Sequence, residues 1–384
     1  VNDISTKLSL CMIVRDEAET LERCLASAAP FVDEIVIVDT GSADRTLAIA
    51  ESYGAIIIHH RWQEDFAQAR NVGLEHATGD WVLWLDADEE LEAADGEAMR
   101  ESLATEKGPL LLVELINYYG ADPPDPLRCH ILAHHRLFRN GIGLRFVNPI
   151  HEQLNVNEVI TSLEPPPTIK ARIYHYGYMD DIRLAKDKSG RNIRMLQEQK
   201  KLPDYSPWID YHLASEWLTA AKYDEAIKDI NLAITRFLQI GQLPPSLVYK
   251  LKYAALLESG HAYLMWPAID KAIQLYPDYV DLRFYQGIAL LLRGNLREAE
   301  NSFNQCLAMG ETCTTHLTMK GAGSFLAYFY RGECRRLSGR LDLAQEDYKE
   351  TLKQNPQFVE AEQAKLKLET GRKGSEVNVT GSHT

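Results

Sequence analysis

Apolar positions change their period along this chain. In the first half, short apolar runs alternate with stretches whose apolar residues recur every three or four positions. "KLSLCMIV" (7–14), "EIVIVD" (34–39), "AIIIHH" (55–60) and "DWVLWLD" (80–86) read as strands. Between them lie helical patterns: "EAETLERCLAS", "GSADRTLAIAESYG" with Ser42 as its expected cap and Gly54 as its stop, and "EDFAQARNVGLEHATG" with Asp65 as its expected cap. Strands alternating with helices of this length predict βαβ units and a mainly parallel sheet. From about Leu184 strands give way to long amphipathic helices, so the fold class is α/β followed by all-α.

Polar residues gather where the predicted strands end: Arg15 to Glu17, Asp39 to Ser42, and Asp86 to Glu89. Ligands bind open parallel sheets outside those carboxyl ends. In "GDWVLWLDADEEL" (79–91) a run fit for a buried strand turns into four acids, Asp86, Asp88, Glu89 and Glu90. Carboxylates two apart at a strand end can share a magnesium- or manganese-type cation, with phosphate oxygens filling its other positions. A random Asp-x-Asp is most often a polar loop. The apolar run before this one and the clusters on neighbouring strand ends favour a site.

Composition narrows the classes. The chain has 384 residues, long enough for two or three domains, with 45% hydrophobic and 25% charged residues. A net charge of −14 argues against a bulk electrostatic grip on nucleic acid or an anionic membrane. No apolar stretch approaches the roughly 20 residues of a membrane span. "LSLCMIV" lacks the flanks of a signal peptide. The six cysteines are scattered without a CxxC pair. They read as core or surface thiols of a cytoplasmic protein, not as disulfides or a zinc site.

Taken together and in order, "LCMIVRDEAETLERCL", "VDTGSADRT" and "FAQARNVGLEHATGDWVLWLDADEE" resemble family 2 glycosyltransferases of the GT-A fold. The likeness is close over residues 7–92 and looser to about 180. It implies that Val14, Arg15 and Glu17 cradle a nucleotide, that Asp39 receives the base (usually uracil), and that Arg70 lies near the nucleotide or diphosphate. It implies that Asp86 and Asp88 form the DxD, with Asp88 the direct ligand of Mn²⁺ or Mg²⁺. An inverting transfer from a UDP-sugar follows, with a general base on the far face of the sugar. Thr40 stands where many relatives carry a second acid.

"RFVNPIHEQL" (145–154) and "ARIYHYGY" (171–178) are similar to features of the branch with appended helical repeats. The resemblance makes Glu152 the first candidate for the base, His151 a contact of metal, diphosphate or acceptor, and His175 a third metal ligand. The bland reading of either histidine is a satisfied surface or core residue. His59 and His60 face the cleft or pack on the next helix. "GADPPDPLRCH" (120–130) is expected as a loop that covers the acceptor side as a lid.

The helical half repeats every 34 or so residues. Trp217, Tyr223, Ala226 and Ala233 occupy tetratricopeptide positions. Gly287, Gly294, Ala299 and Phe303 occupy them again, as do Gly332, Gly339, Ala344, Tyr348 and Pro356. A divergent copy carries Gly260, Ala272 and Pro277, and an insertion surrounds "GETCTTHLTMKG". Such arrays imply a peptide or protein acceptor in their groove, or self-association as a homodimer. The domains expected are 1–180 catalytic, 181–205 a connecting helix, 206–370 repeats and 371–384 a disordered tail. The architecture resembles bacterial peptide S-glycosyltransferases. Rival readings are transfer to a saccharide or lipid-linked acceptor, a sugar nucleotidyltransferase (disfavoured by the lack of Gly in "MIVRDEAET"), and a silent scaffold.

Overall fold

A computed structural model describes residues 6–162, 164–185, 188–311 and 313–379. The chain forms two compact units, 1–199 and 200–384.

The first unit begins β1 (Leu8–Val14), α1 (Leu21–Ala28), β2 (Glu34–Asp39), α2 (Thr46–Ser52), β3 (Ile56–His59), α3 (Phe66–His76) and β4 (Trp81–Trp84). It continues with β5 (Glu89–Leu91), α4 (Gly96–Thr105), β6 (Leu110–Gly120), β7 (Cys129–Arg139), β8 (Phe146–Val147), β9 (Gln153–Leu154), α5 (Val156–Val159) and β10 (Thr168–Met179). It ends with α6 (Asp180–Ala185) and α7 (Lys188–Gln199). The main sheet of this unit runs β3-β2-β1-β4-β7-β6-β10-β5. β1 to β4 pair in parallel as the alternation predicts. The later strands mix directions: β7 is antiparallel to β4 and β6, and β10 is parallel to β6.

β4 explains why its sequence shows no alternation. Trp81, Leu83 and Leu85 point into one core with Leu10, Met12 and α1 residues Leu21, Cys24 and Leu25. Val82 and Trp84 point into the other with Cys11, Val36, Ala67 and Phe146. Successive strand residues face opposite sides, and both sides are covered, so every position is apolar.

One local expectation changes, and the Pro-rich segment is a loop as expected. Ser42 does not cap α2, because its Oγ accepts from Asp16 N at 3.0 Å; Asp44 Oδ1 instead accepts from Thr46 N at 2.9 Å. The Pro-rich segment joins the antiparallel strands β6 and β7 as a connection within the sheet. Asp65 does cap α3, accepting from Gln68 N at 2.8 Å. The connecting segment forms two helices, α6 and α7, that cluster with the first unit.

The second unit contains α8 (Pro207–Thr219), α9 (Tyr223–Gln239), α10 (Ser246–Glu258), α11 (Ala268–Leu275), α12 (Val280–Leu292), α13 (Leu296–Met309), α14 (Phe325–Leu337), α15 (Leu341–Gln354) and α16 (Val359–Val379). α8/α9, α12/α13 and α14/α15 are antiparallel pairs at the predicted repeats, and small residues sit where their helices meet. Ala226, Ala233, Ala299 and Ala344 are buried. The divergent copy has a short second helix, α11, preceded by a 3-10 turn. α16 continues to Val379, through part of the tail expected to be disordered; residues 380–384 lie outside the described residues. No helix among the described residues is long and apolar enough to cross a membrane.

Candidate active site

The parallel register lines up the polar strand ends. Val14 is opposite Asp39, and Cys11 is opposite Trp84, so Asp86 falls level with Ile13 on the same edge. β10 completes the site from the mixed half of the sheet. It lies between β6 and β5, with His175 opposite Asn117 on one side and Glu89 on the other.

Each of the four acids after β4 has its own cationic or hydrogen-bonding partner. Asp86 Oδ1 accepts from Arg70 Nη2 at 2.6 Å. Asp88 Oδ1 lies 3.5 Å from His175 Nε2. Glu89 pairs with the buried Arg136, and its other oxygen accepts from Asp86 N at 2.9 Å. Glu90 accepts from Tyr176 Oη at 2.8 Å and lies 3.7 Å from Arg23 Nε. The Asp86–Glu89 turn is therefore pinned from β7, β10 and α3.

Arg70 is the hub. Only 7% exposed, it also donates from Nε to Glu152 Oε1 at 2.5 Å and packs on the rings of Trp84 and Phe146. Burial disfavours its charge, but Asp86 and Glu152 outweigh that and raise its pKa. A small crevice lined by Cys11, Met12, Ile13, Gly73, Trp84 and Phe146 lies against it. Burial pushes the Asp86 carboxyl up; Arg70 and then Arg136 pull it below the ordinary range. For Glu89 burial wins, and its pKa rises to about 7.

At the end of β2, Asp39 is only 4% exposed. Its Oδ1 accepts from Ser42 N at 3.0 Å and its Oδ2 from Gly41 N at 3.3 Å, with His59 Nδ1 a further 3.3 Å contact. Burial opposes its ionisation, but these bonds lower its pKa. Arg15 is exposed beside Asp16, which sits at φ +53° and joins the two loops through Ala43 N and Ser42 Oγ. Glu17 accepts from Thr20 Oγ1 at 2.9 Å and its N–H donates to Thr46 Oγ1 at 2.7 Å. His60 contacts Gln68 of α3. His151 sits at φ +51°, and burial followed by the charge of Arg191 lowers its pKa to about 4.

The donor set fits a hard divalent cation. His175 Nδ1 is 2.8 Å from Asn117 Oδ1, so its N–H can donate there and leave the Nε2 lone pair facing Asp88. A Cβ on Gly177 would fall 2.5 Å from His175 Nε2 and 2.7 Å from Asp88 Oδ2. The bare Cα thus keeps a small space open between the two ligand atoms. Asp86 is turned to Arg70, which leaves Asp88 and His175 as the pair that converges.

The sequence reading missed Arg136, Asn117 and Gly177. Arg136 is 4% exposed, and its Nε and Nη1 are buried without a hydrogen-bond partner. "HHRLFR" alternates on a strand and "HYGY" carries the glycine, but the pairing of β7 and β10 around β6 was invisible.

Residues 9–143 match the family model described as Glycosyl transferase family 2. A TPR repeat-containing protein of Synechococcus elongatus is 37% identical over 279 residues, covering 70% of this chain and 65% of that relative. The SPbeta prophage-derived glycosyltransferase SunS of Bacillus subtilis is 24% identical over 309 residues, covering 77% of this chain and 70% of SunS. Among solved structures, S. aureus TarS 1–349 aligns with a TM-score of 0.38 at 16% identity, covering 75% of this chain and 92% of that one. The family match thus falls within the first unit, and helix pairs at tetratricopeptide spacing follow in the second.

Proposed function

We propose that this chain is an inverting, metal-dependent glycosyltransferase that moves a sugar from a nucleotide sugar, UDP-linked, to a peptide or protein acceptor engaged by its repeats. One observation carries the reading. Asp88 and His175 converge across the bare Cα of Gly177, at the strand edge where Asp39 and Arg70 also lie.

Asp39 contacts the base. A carboxylate has about four acceptor positions. The long contact to His59, an exposed side chain, is the one that a uracil N3–H can replace. Arg70 faces the diphosphate and offsets charge on the leaving group; held by Asp86 and Glu152, it needs no reorganisation to do so. Asp88 and His175 hold Mn²⁺ or Mg²⁺, which when bound supplies Lewis-acid stabilisation of the leaving nucleoside diphosphate. Glu152 takes the acceptor proton through Oε2, because Oε1 is committed to Arg70. His151 borders this base and orients the acceptor side. SunS, one of the relatives named as glycosyltransferases, lends support to the enzyme class.

The test is a donor screen with Mn²⁺ that follows slow release of nucleoside diphosphate, run on wild type and Asp88→Ala. Release from a UDP-sugar by wild type alone supports the reading. Failure of wild type to bind any nucleoside diphosphate removes it. Peptide, saccharide and lipid-linked acceptors are then compared for stimulation of turnover.

A further inference from the structure

Away from the strand edge, the second unit brings three ligand-type side chains to one point. Asp278 lies in the turn between α11 and α12, and Cys313 and His316 lie in the insertion after α13. Their ligand atoms all fall within 4.8 Å of one another. Asp278 Oδ1 is 3.1 Å from His316 Nε2, and Asp278 Oδ2 is 3.7 Å from Cys313 Sγ.

Each of these two separations, one to each oxygen of Asp278, lies near that of two ligands sharing a tetrahedral metal. With Zn–N and Zn–O near 2.05 Å and Zn–S near 2.3 Å, tetrahedral neighbours stand about 3.3 Å (N to O) and about 3.6 Å (S to O) apart. The support is also in place. His316 Nδ1 is 2.9 Å from Ser246 Oγ, which can take its N–H and leave Nε2 as a lone pair aimed at Asp278. The ring is buried and stacks on Tyr279 at 4.5 Å. The carbonyl of the next residue, Leu317, accepts from Lys250 Nζ and from Tyr279 Oη, both at 2.6 Å. Asp281, paired with Lys250, accepts from Met319 N at 3.1 Å. Buried polar groups therefore fix the insertion at the point where the ligands meet. Asp278 and Cys313 stay open enough to solvent for an ion to enter.

We propose that Asp278, Cys313 and His316 bind one thiophilic divalent cation of the zinc class, with water or an external ligand in the fourth position. The ion ties the insertion after α13 to the turn before α12. Binding exchanges the Cys313 thiol proton for the metal, and the proton leaves to solvent. Sequence spacing hides the site, because Asp278 precedes Cys313 by 35 positions and falls in another repeat.

The experiment uses the full chain, stripped of metal and titrated with Co²⁺. Wild type is expected to develop a thiolate-to-cobalt charge-transfer band in the near ultraviolet with one equivalent, removed by added Zn²⁺. Cys313→Ser loses the band, and Asp278→Asn binds roughly 10–100-fold more weakly. The other five cysteines are buried, so the band reports Cys313. Asp88→Ala keeps it, which separates this site from the proposed catalytic one. The proposal is overturned if saturating Co²⁺ gives wild type no such band, if Cys313→Ser retains it, or if Asp88→Ala abolishes it.

Discussion

His175 Nε2 stands 3.5 Å from Asp88 Oδ1, and the Cα of Gly177 borders both side chains without a Cβ to fill the space. A methyl group at position 177 would fall 2.5 Å from one ligand nitrogen and 2.7 Å from a carboxylate oxygen. Gly177→Ala is therefore expected to displace the ligand pair while leaving the apolar cores intact. Calorimetry of Mn²⁺-dependent UDP binding should show a loss of about 10–100-fold, the scale of disturbing ligand orientation. Asp88→Asn should do at least as much. Binding of normal strength in both variants would remove the ion from this position.

Arg70, itself buried, bridges two carboxylates, Glu152 largely buried and Asp86 partly open to solvent. Removing the guanidinium leaves Asp86 and Glu152 without their charge partner, a loss of about 3–5 kcal/mol for a broken buried pair. Arg70→Met should lower the unfolding midpoint accordingly. Arg70→Lys keeps the charge but cannot hold the planar fork toward both acids. It should retain much of the stability and lose turnover. Thermal melting and nucleoside-diphosphate release measured on the same preparations distinguish the two effects.

Much of this was legible before the fold. The apolar period gave β1 to β4 with boundaries within a residue or two, because β1, β2 and β4 are buried on both faces and the edge strand β3 is still a run of isoleucines. Asp39, Asp86 and Asp88 were legible because parallel strands bring their carboxyl ends to one edge; Arg70, in α3, came only from the family resemblance. The second half of the sheet was not. β6, β7 and β10 mix directions and depend on pairings between residues far apart in the sequence, such as Glu89 to His175 and Glu114 to Arg172. Gly177 and Arg136 matter only through those pairings. Ser42 read as a helix cap because a serine ahead of an apolar run has that pattern; its N–H instead closes the Asp39 turn.

Acid sensitivity should trace in part to Glu34. Its carboxylate accepts from Ser9 Oγ, from Thr78 N at 2.6 Å and from Thr78 Oγ1 at 3.1 Å, tying the start of β2 to β1 and to the turn before β4. Burial raises its pKa, but these donors outweigh it and leave it below the ordinary value of 4.5. A depressed folded-state pKa means the unfolded chain binds the proton first. The contribution is present above about pH 4.5 and fades as pH falls through the folded-state value. Glu34→Gln should lower the urea midpoint at about pH 7, and the gap from wild type should narrow toward about pH 3. A constant gap across that range would show that the Glu34 charge is not what stabilises the strand.

The repeats give a test independent of any chemistry. A Cβ on Gly287 of α12 would meet Phe303 Cε1 and Cζ at 2.7 Å, and one on Gly332 of α14 would meet Tyr348 Cε1 at 2.8 Å. Both rings are fully buried, so neither can swing aside without opening its helix pair. The two glycines occupy the same place in successive copies, where helix backbones must come close for the stack to form. In an isolated helix Gly→Ala stabilises by nearly 1 kcal/mol. Here overpacking, about 1–3 kcal/mol, should win and reverse the sign. Gly287→Ala and Gly332→Ala should each lower the unfolding midpoint. Gly294→Ala should behave differently, because that residue sits at φ +79° with open space around it. Its cost comes from backbone strain alone. Trimming the partner separates the mechanisms: Phe303→Leu should relieve Gly287→Ala in a double-mutant cycle and leave Gly294→Ala unchanged.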